Sequence, residues 1–149
     1  MRHQRPHYDE DYHAWLMDQA ASLRAAGSRI GTAIDADTVA EELEDMGKAQ
    51  RQALNSHLKV LLLHLLKWTY QPDKRKGGRE VSIINARDEI AALVADSPSL
   101  RPHLTTLWDK AYGVARRNAV AETGLPASTF PEEAPFTLEQ ALDDEYMPD

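Results

Sequence analysis

Apolar residues recur along this chain at spacings of three and four, and no stretch alternates apolar and polar residues over the length of a strand. That periodicity predicts an all-α fold. Its strongest expression is the stretch from Asn55 to Pro72, where Leu58, Leu61, Leu65 and Trp68 trace one helical face and Leu62 and Leu66 add an adjacent stripe. A helix apolar on two faces needs neighbours on most sides, so this one is expected to be the most buried. Pro72 closes it, because proline has no amide to donate and disfavours helical geometry at the residue before it.

The other elements follow the same logic. A first helix starts near Asp9 or Asp11, either of which can cap the free amides, places Tyr12, Trp15, Leu16, Gln19 and Leu23 on one face, and stops at Gly27. In the following connection, Ile30 and Ile34 are expected to turn inward. Asp35 or Asp37 can cap the next segment, where Val39, Leu43, Met46, Gln50, Leu54 and Leu58 fall on a single helical line. One helix reaching from there to Tyr70 would be roughly 50 Å long. The expectation is therefore a break at Gly47, since glycine costs ~1 kcal/mol in a helix interior, with one helix over 36–46 and the next over 48–70.

PDKRKGGRE reads as a turn, followed by a helix whose face is Val81, Ile84, Ile90, Leu93 and Val94. Ser97 and Pro98 open the next helix, which Pro102 should kink or restart, with Leu104, Leu107, Trp108, Ala111, Tyr112, Ala115 and Ala119 inside and Gly124 at its end. Thr137 and Gln140 have capping-box spacing for a short C-terminal helix. Leu125, Phe130, Phe136, Leu138, Leu142 and Tyr146 should dock the tail, residues 125–149, on the rest. The whole is expected to be a single-domain helical bundle over residues 1–149, of four to five main helices and a short C-terminal one, with residues 1–7 loose. Trp15, Trp68 and Trp108 are its expected large core anchors.

Composition narrows the chemistry more than it identifies it. The 149 residues are 42% hydrophobic and 28% charged, as in an ordinary globular protein, and the absence of cysteine removes disulfides, thiolate nucleophiles and cysteine metal sites. A cytoplasmic location is expected, because MRHQRPHYDEDY has no apolar segment behind its charges and the apolar runs, Val60 to Leu63 among them, are far too short to span a membrane. The net charge of −7 is unevenly spread: Asp35 to Asp45 holds six acids and no base, Lys67 to Arg79 holds five bases against Asp73, and nothing basic follows Arg117. This balance disfavours nucleic acid as a partner.

Five stretches, taken together and in order, resemble the bacterial family called domain of unknown function 29. They are YDEDYHAW at 8–15, VAEELEDMG at 39–47, LLLHLLKWTYQP at 61–72, DSPSLRP at 96–102 and ETGLPASTFP at 122–131. The resemblance spans almost the whole chain and implies a small helical protein, with no activity, substrate or catalytic residue attached.

Two function classes remain. The leading one is a non-enzymatic interaction or regulatory module with a protein partner, a homo-oligomer being compatible with it, and with Lys74, Arg75, Lys76 and Arg79 as the partner surface. No catalytic residue and no cofactor are expected under it, since no phosphate-cradling glycine loop, nucleophile elbow or Ser/His/Asp arrangement is recognisable. The alternative is a metal-binding bundle or metalloenzyme using His57 and His64, seven residues apart on one side of a helix, with an acid such as Glu10 or Glu41. A bundle metal site needs three or four converging ligands, and the Glu-x-x-His spacing occurs only at Glu10 and His13. Against each candidate stands a plain reading: histidines hydrogen-bonded at the edge of a core, a solvated acidic face from Glu41 to Asp45, and bases complementing a helix end. His3 and His7, four apart, fall in the expected loose end.

Overall fold

A computed structural model of the chain describes residues 5–149. The fold is all-α: among the described residues there is no strand, and the helices are α1 (Tyr12–Ala26), α2 (Ala36–Tyr70), α3 (Gly77–Asp96), α4 (Arg101–Thr123) and the short α5 (Leu138–Leu142). Single 3-10 turns sit at Gly27–Ile30, Pro72–Lys74, Pro98–Leu100 and Ala127–Thr129. Two compact units are distinguishable. The first comprises the described residues of Met1–Ala53 with Leu93–Arg101, and the second Leu54–Ala92 with Pro102–Asp149.

In the first unit, Asp11 caps α1 by accepting from the Ala14 amide at 2.9 Å, and the same carboxylate accepts from the Ser99 amide at 2.7 Å and the Ser99 hydroxyl at 2.8 Å. One side chain therefore serves the starts of two helical segments. Asp35 caps α2 through the amide and hydroxyl of Thr38, and those hydrogen bonds hold its carboxyl below the usual carboxylate range. Residues 1–4 and His3 with them lie outside the described residues. Within 5–7 the chain is not loose as expected, since Arg5 reaches Asp18 at 3.3 Å and donates to Ser22.

The expected break at Gly47 does not occur, and α2 is a single helix of 35 residues. The reason lies in what covers the glycine. Gly47 is buried, and a Cβ there would meet the terminal methyl of Met17 and the ring of His13, so the missing side chain lets α1 approach the α2 backbone. Packing outweighs the ~1 kcal/mol propensity cost. The inward positions of this half of α2 are small, Ala36, Ala40 and Gly47, while Val39 and Met46 are exposed. Ile34 is exposed as well, contrary to expectation, and Ile30 is half-buried.

The second unit holds the leucine-rich core. Leu54, Leu58, Leu61, Leu62, Leu65 and Leu66 of α2 are fully buried, together with Ile83 of α3, Leu104, Ala111, Ala115 and Ala119 of α4, and Ala141 of α5. Helix α3 buries Ile90 as expected, but its first half turns a different face inward: Ile83, Ala86 and Arg87 are buried, and Val81 and Ile84 are exposed. Across the molecule the three tryptophans are mostly covered, as expected, but stand at the rim of the fully buried core and not within it. Trp68 shows why, because its Nε1 donates to the Pro148 carbonyl at 3.1 Å and the Arg75 guanidinium covers its ring at 5.1 Å, a rim position for an amphipathic side chain.

Candidate binding groove on the fourth helix and tail

The tail is rich in proline and acid, yet backbone carbonyls along it are held by side chains of α3 and α4. Tyr112 donates its hydroxyl to Pro131 at 2.6 Å, and Arg116 donates to Phe130 at 3.0 Å and to Ala127 at 2.9 Å. Burial pushes the Tyr112 phenol up to about 12, so it stays a neutral donor at ordinary pH. Phe130 is buried edge-on to Tyr70 at 5.4 Å, and Phe136 edge-on to Trp108 at 6.3 Å. Thr137 and Gln140 form the capping box that starts α5.

Held this way, the tail faces α4 across an open groove. A cavity of about 510 Å3 is lined by Trp108, Asp109, Tyr112, Glu132, Glu133 and Ala134. A second hollow of about 470 Å3 shares Trp108 and Asp109 and adds Phe136 and Glu139. Asp109, Glu132, Glu133 and Glu139 are all exposed, and among the described residues none is in an ion pair. Aromatic rings flanked by carboxylates in no ion pair suit a cation, a guanidinium above all, which stacks on rings and donates to carboxylates in its plane.

The other polar cluster lies in the first unit and joins the stretches YDEDYHAW and DSPSLRP. His13 is buried; its amide donates to Ser97 Oγ at 2.9 Å, its Nε2 lies 2.7 Å from Arg51 Nη1, and its Nδ1 lies 3.5 Å from Ser99 Oγ. Arginine only donates, so Nε2 accepts and Nδ1 carries the proton. That tautomer cannot take a proton from Ser99, whose hydroxyl is already directed at Asp11. The aspartate, serine and histidine form a capping network, not a nucleophilic triad.

The residues singled out from sequence are distributed as follows. His57 lies 3.9 Å from Glu89, half-exposed. His64 has a buried Nδ1 with no hydrogen-bond partner, and burial, with Lys67 and Arg79 adding to it, pulls the ring below its ordinary pKa. Glu10 and Glu41 are exposed. Among the described residues no three His, Asp or Glu side chains form a group that could hold a metal ion. In the basic turn, Arg75 donates to the Trp68 carbonyl at 2.8 Å, and Arg79 donates to the Lys67 carbonyl at 3.0 Å and to Gln71 Oε1 at 2.5 Å. Those two arginines serve the last turn of α2, leaving Lys74 and Lys76 exposed. Sequence reasoning missed Asp109, Glu132 and Glu133; the signal was the acid-only run after Arg117, set among aromatic residues.

The profile of a family described as Domain of unknown function DUF29 matches residues 7–147. A crystal structure of an α-helical protein of unknown function from Rhodospirillum rubrum is similar, with a TM-score of 0.67 and 21% identity, over 96% of this chain and 93% of that one. At that identity the likeness is one of fold. None of the curated proteins compared with the chain matches it.

Proposed function

The chain belongs to the DUF29 family, a domain of unknown function, and from that premise we propose that it is a non-enzymatic interaction module that seats a basic segment of a protein partner in the groove between α4 and the tail. The observation that carries this reading is that Asp109, Glu132 and Glu133, in no ion pair among the described residues, line with Trp108 and Tyr112 a cavity of about 510 Å3. Such a surface raises the local concentration of cations, and the overall charge of −7 works in the same direction. The groove also has a fixed shape, since Tyr112 and Arg116 hold the tail carbonyls that frame it, so little ordering accompanies binding.

The partner meets the module in the bacterial cytoplasm, a setting supported by a chain without cysteine. No helix among the described residues is long and apolar enough to cross a membrane.

The test is fluorescence anisotropy with two labelled nonapeptides, one of alternating arginine and alanine and one with glutamate in place of arginine. The basic peptide should bind and weaken as salt rises, and the triple change Asp109→Asn, Glu132→Gln, Glu133→Gln should reduce its affinity at least tenfold. Equal binding of the acidic peptide, or an unchanged affinity in the triple variant, would overturn the reading.

A further inference from the structure

The first unit contains a second aromatic and acidic cavity, independent of the groove. We propose that Tyr8, Tyr12, Asp9 and Asp96 form a receptor for an alkylated ammonium group, carried either by a small free cation or by a methylated lysine side chain. These four residues line a cavity of about 250 Å3, room enough for a trimethylammonium head.

The rings are arranged by one another and not by burial. Tyr8 stands edge-on to Tyr12, with centroids 5.6 Å apart, and edge-on to Trp15 at 5.0 Å, while Tyr12 and Trp15 lie within 17° of parallel. Tyr8 keeps 57% of its surface in contact with solvent, so its ring is open to a ligand. Tyr8 and Tyr12 both line the cavity, and the electronegative face of an aromatic ring attracts a cation.

The carboxylates point to the same ligand. Asp96 is the last residue of α3, where the helix dipole is negative, and that last turn holds no base. An acid is electrostatically misplaced at that end, and among the described residues neither Asp96 nor Asp9 is in an ion pair. The opposing charges are the positive starts of α1, beside Tyr12, and of the Pro98–Leu100 turn, beside Asp96, but the Asp11 carboxylate already sits on both. What remains, among the described residues, is two anions and two rings with no cationic side chain paired to them. A primary ammonium would have to exchange its water for ring faces that offer no lone pairs. An alkylated ammonium is more weakly hydrated, fills the space with methyl groups, and still takes the Coulomb attraction of both carboxylates.

Ring currents provide the readout, because N-methyl protons held over a tyrosine face move upfield in proton NMR. Full-length protein is titrated with choline, with its neutral isostere 3,3-dimethylbutan-1-ol, and with a short peptide carrying trimethyllysine or unmodified lysine. Choline and the trimethyllysine peptide should show upfield, saturable N-methyl shifts, with the neutral alcohol and the unmodified peptide at least tenfold weaker. Whichever of the first two binds more tightly identifies the source of the ammonium group. Tyr8→Leu and Asp96→Asn should each lower affinity about tenfold, and Tyr8→Phe, which keeps the ring, should retain it. Tyr8 and Asp96 are both exposed, so the folded state should survive all three changes, checked by circular dichroism. Absence of any N-methyl shift, equal binding of the neutral alcohol, or an unaffected Tyr8→Leu variant would each refute the receptor.

Discussion

Arg87 of α3, only 4% exposed, donates from Nε to the carbonyl of Ala141 at 2.8 Å. Its Nη2 donates to the Tyr146 carbonyl at 2.7 Å, so one guanidinium ties together two points of the C-terminal segment. Burial lowers its pKa from the ordinary value, with Asp144 and Asp143 pulling the other way. A buried cation needs its partners, and here they are backbone carbonyls that nothing else satisfies as well. Arg87→Met should therefore cost about 2–4 kcal/mol in urea unfolding, with amide exchange rising first over residues 141–146. Arg87→Lys should recover less than half of that, because one ammonium does not reproduce a fork that reaches two carbonyls. Full recovery by lysine would show that charge alone matters.

Gly47 and Met17 should behave as a coupled pair. Gly47→Ala gains up to ~1 kcal/mol of helix propensity but displaces the Met17 methyl from where the new Cβ would stand, so its net effect should be under about 1 kcal/mol. Combined with Met17→Ala, the same change should be more favourable, since the added methyl then fills vacated space. Gly47→Leu has no such escape and should cost about 1–3 kcal/mol. A double-mutant cycle by chemical denaturation measures the coupling, and strict additivity would show that the close approach is energetically idle.

The depressed pKa of His64 gives stability a defined pH dependence. The native state holds fewer protons on this ring than the unfolded chain does, so the contribution is complete above the ordinary value of 6.5 and is lost as pH falls toward the native value. The urea midpoint should decline between pH 7 and pH 5. His64→Leu removes the titrating ring and the unpartnered Nδ1 together, and should flatten that decline. An identical slope in the variant would assign the acid sensitivity to other groups.

Periodicity reported the helices well because apolar spacing is a property of the chain itself. The end of α4 at Gly124 and the Thr137 capping box lie where their local signals place them, and of the paired cap candidates the structure uses Asp11 and Asp35. The start of α4 is shifted, since Pro98–Leu100 is a 3-10 turn, Ser97 gives no cap because its hydroxyl accepts from the His13 amide, and α4 begins at Arg101. The errors share a physical origin, which is that a neighbour decided the outcome. Gly47 looks like a breaker until Met17 and His13 are seen above it. Apolar spacing turned α3 toward Val81 and Ile84, whereas the structure buries Arg87, whose guanidinium donates to tail carbonyls more than fifty residues away. The candidate groove was illegible for the same reason, since nothing local in the sequence brings Glu132 and Glu133 beside Trp108; Tyr112 and Arg116 do, by fixing the chain that carries them.

The tail supplies the last prediction, because two kinds of force attach it within the second unit and they respond differently to salt. Apolar anchoring comes from Phe130, Phe136 and Ala141, none more than 4% exposed, and from buried Pro148. At ~1.5–3 kcal/mol for each large side chain withdrawn from water, the two phenylalanines alone contribute several kcal/mol. Hydrogen bonds from Trp68, Arg87, Tyr112 and Arg116 to tail carbonyls add to that, and none depends on a tail carboxylate. Exposed ion pairs, at ~0–1 kcal/mol each, are minor by comparison and are screened by salt. A chain ending after Gly124 should therefore melt about 10 °C or more below the full-length protein, taking roughly 2–4 °C per kcal/mol at this size, and by a similar amount at low and high salt. An unchanged midpoint would mean the tail adds nothing to the fold, and a deficit confined to low salt would transfer its attachment from the aromatic rings to the charges.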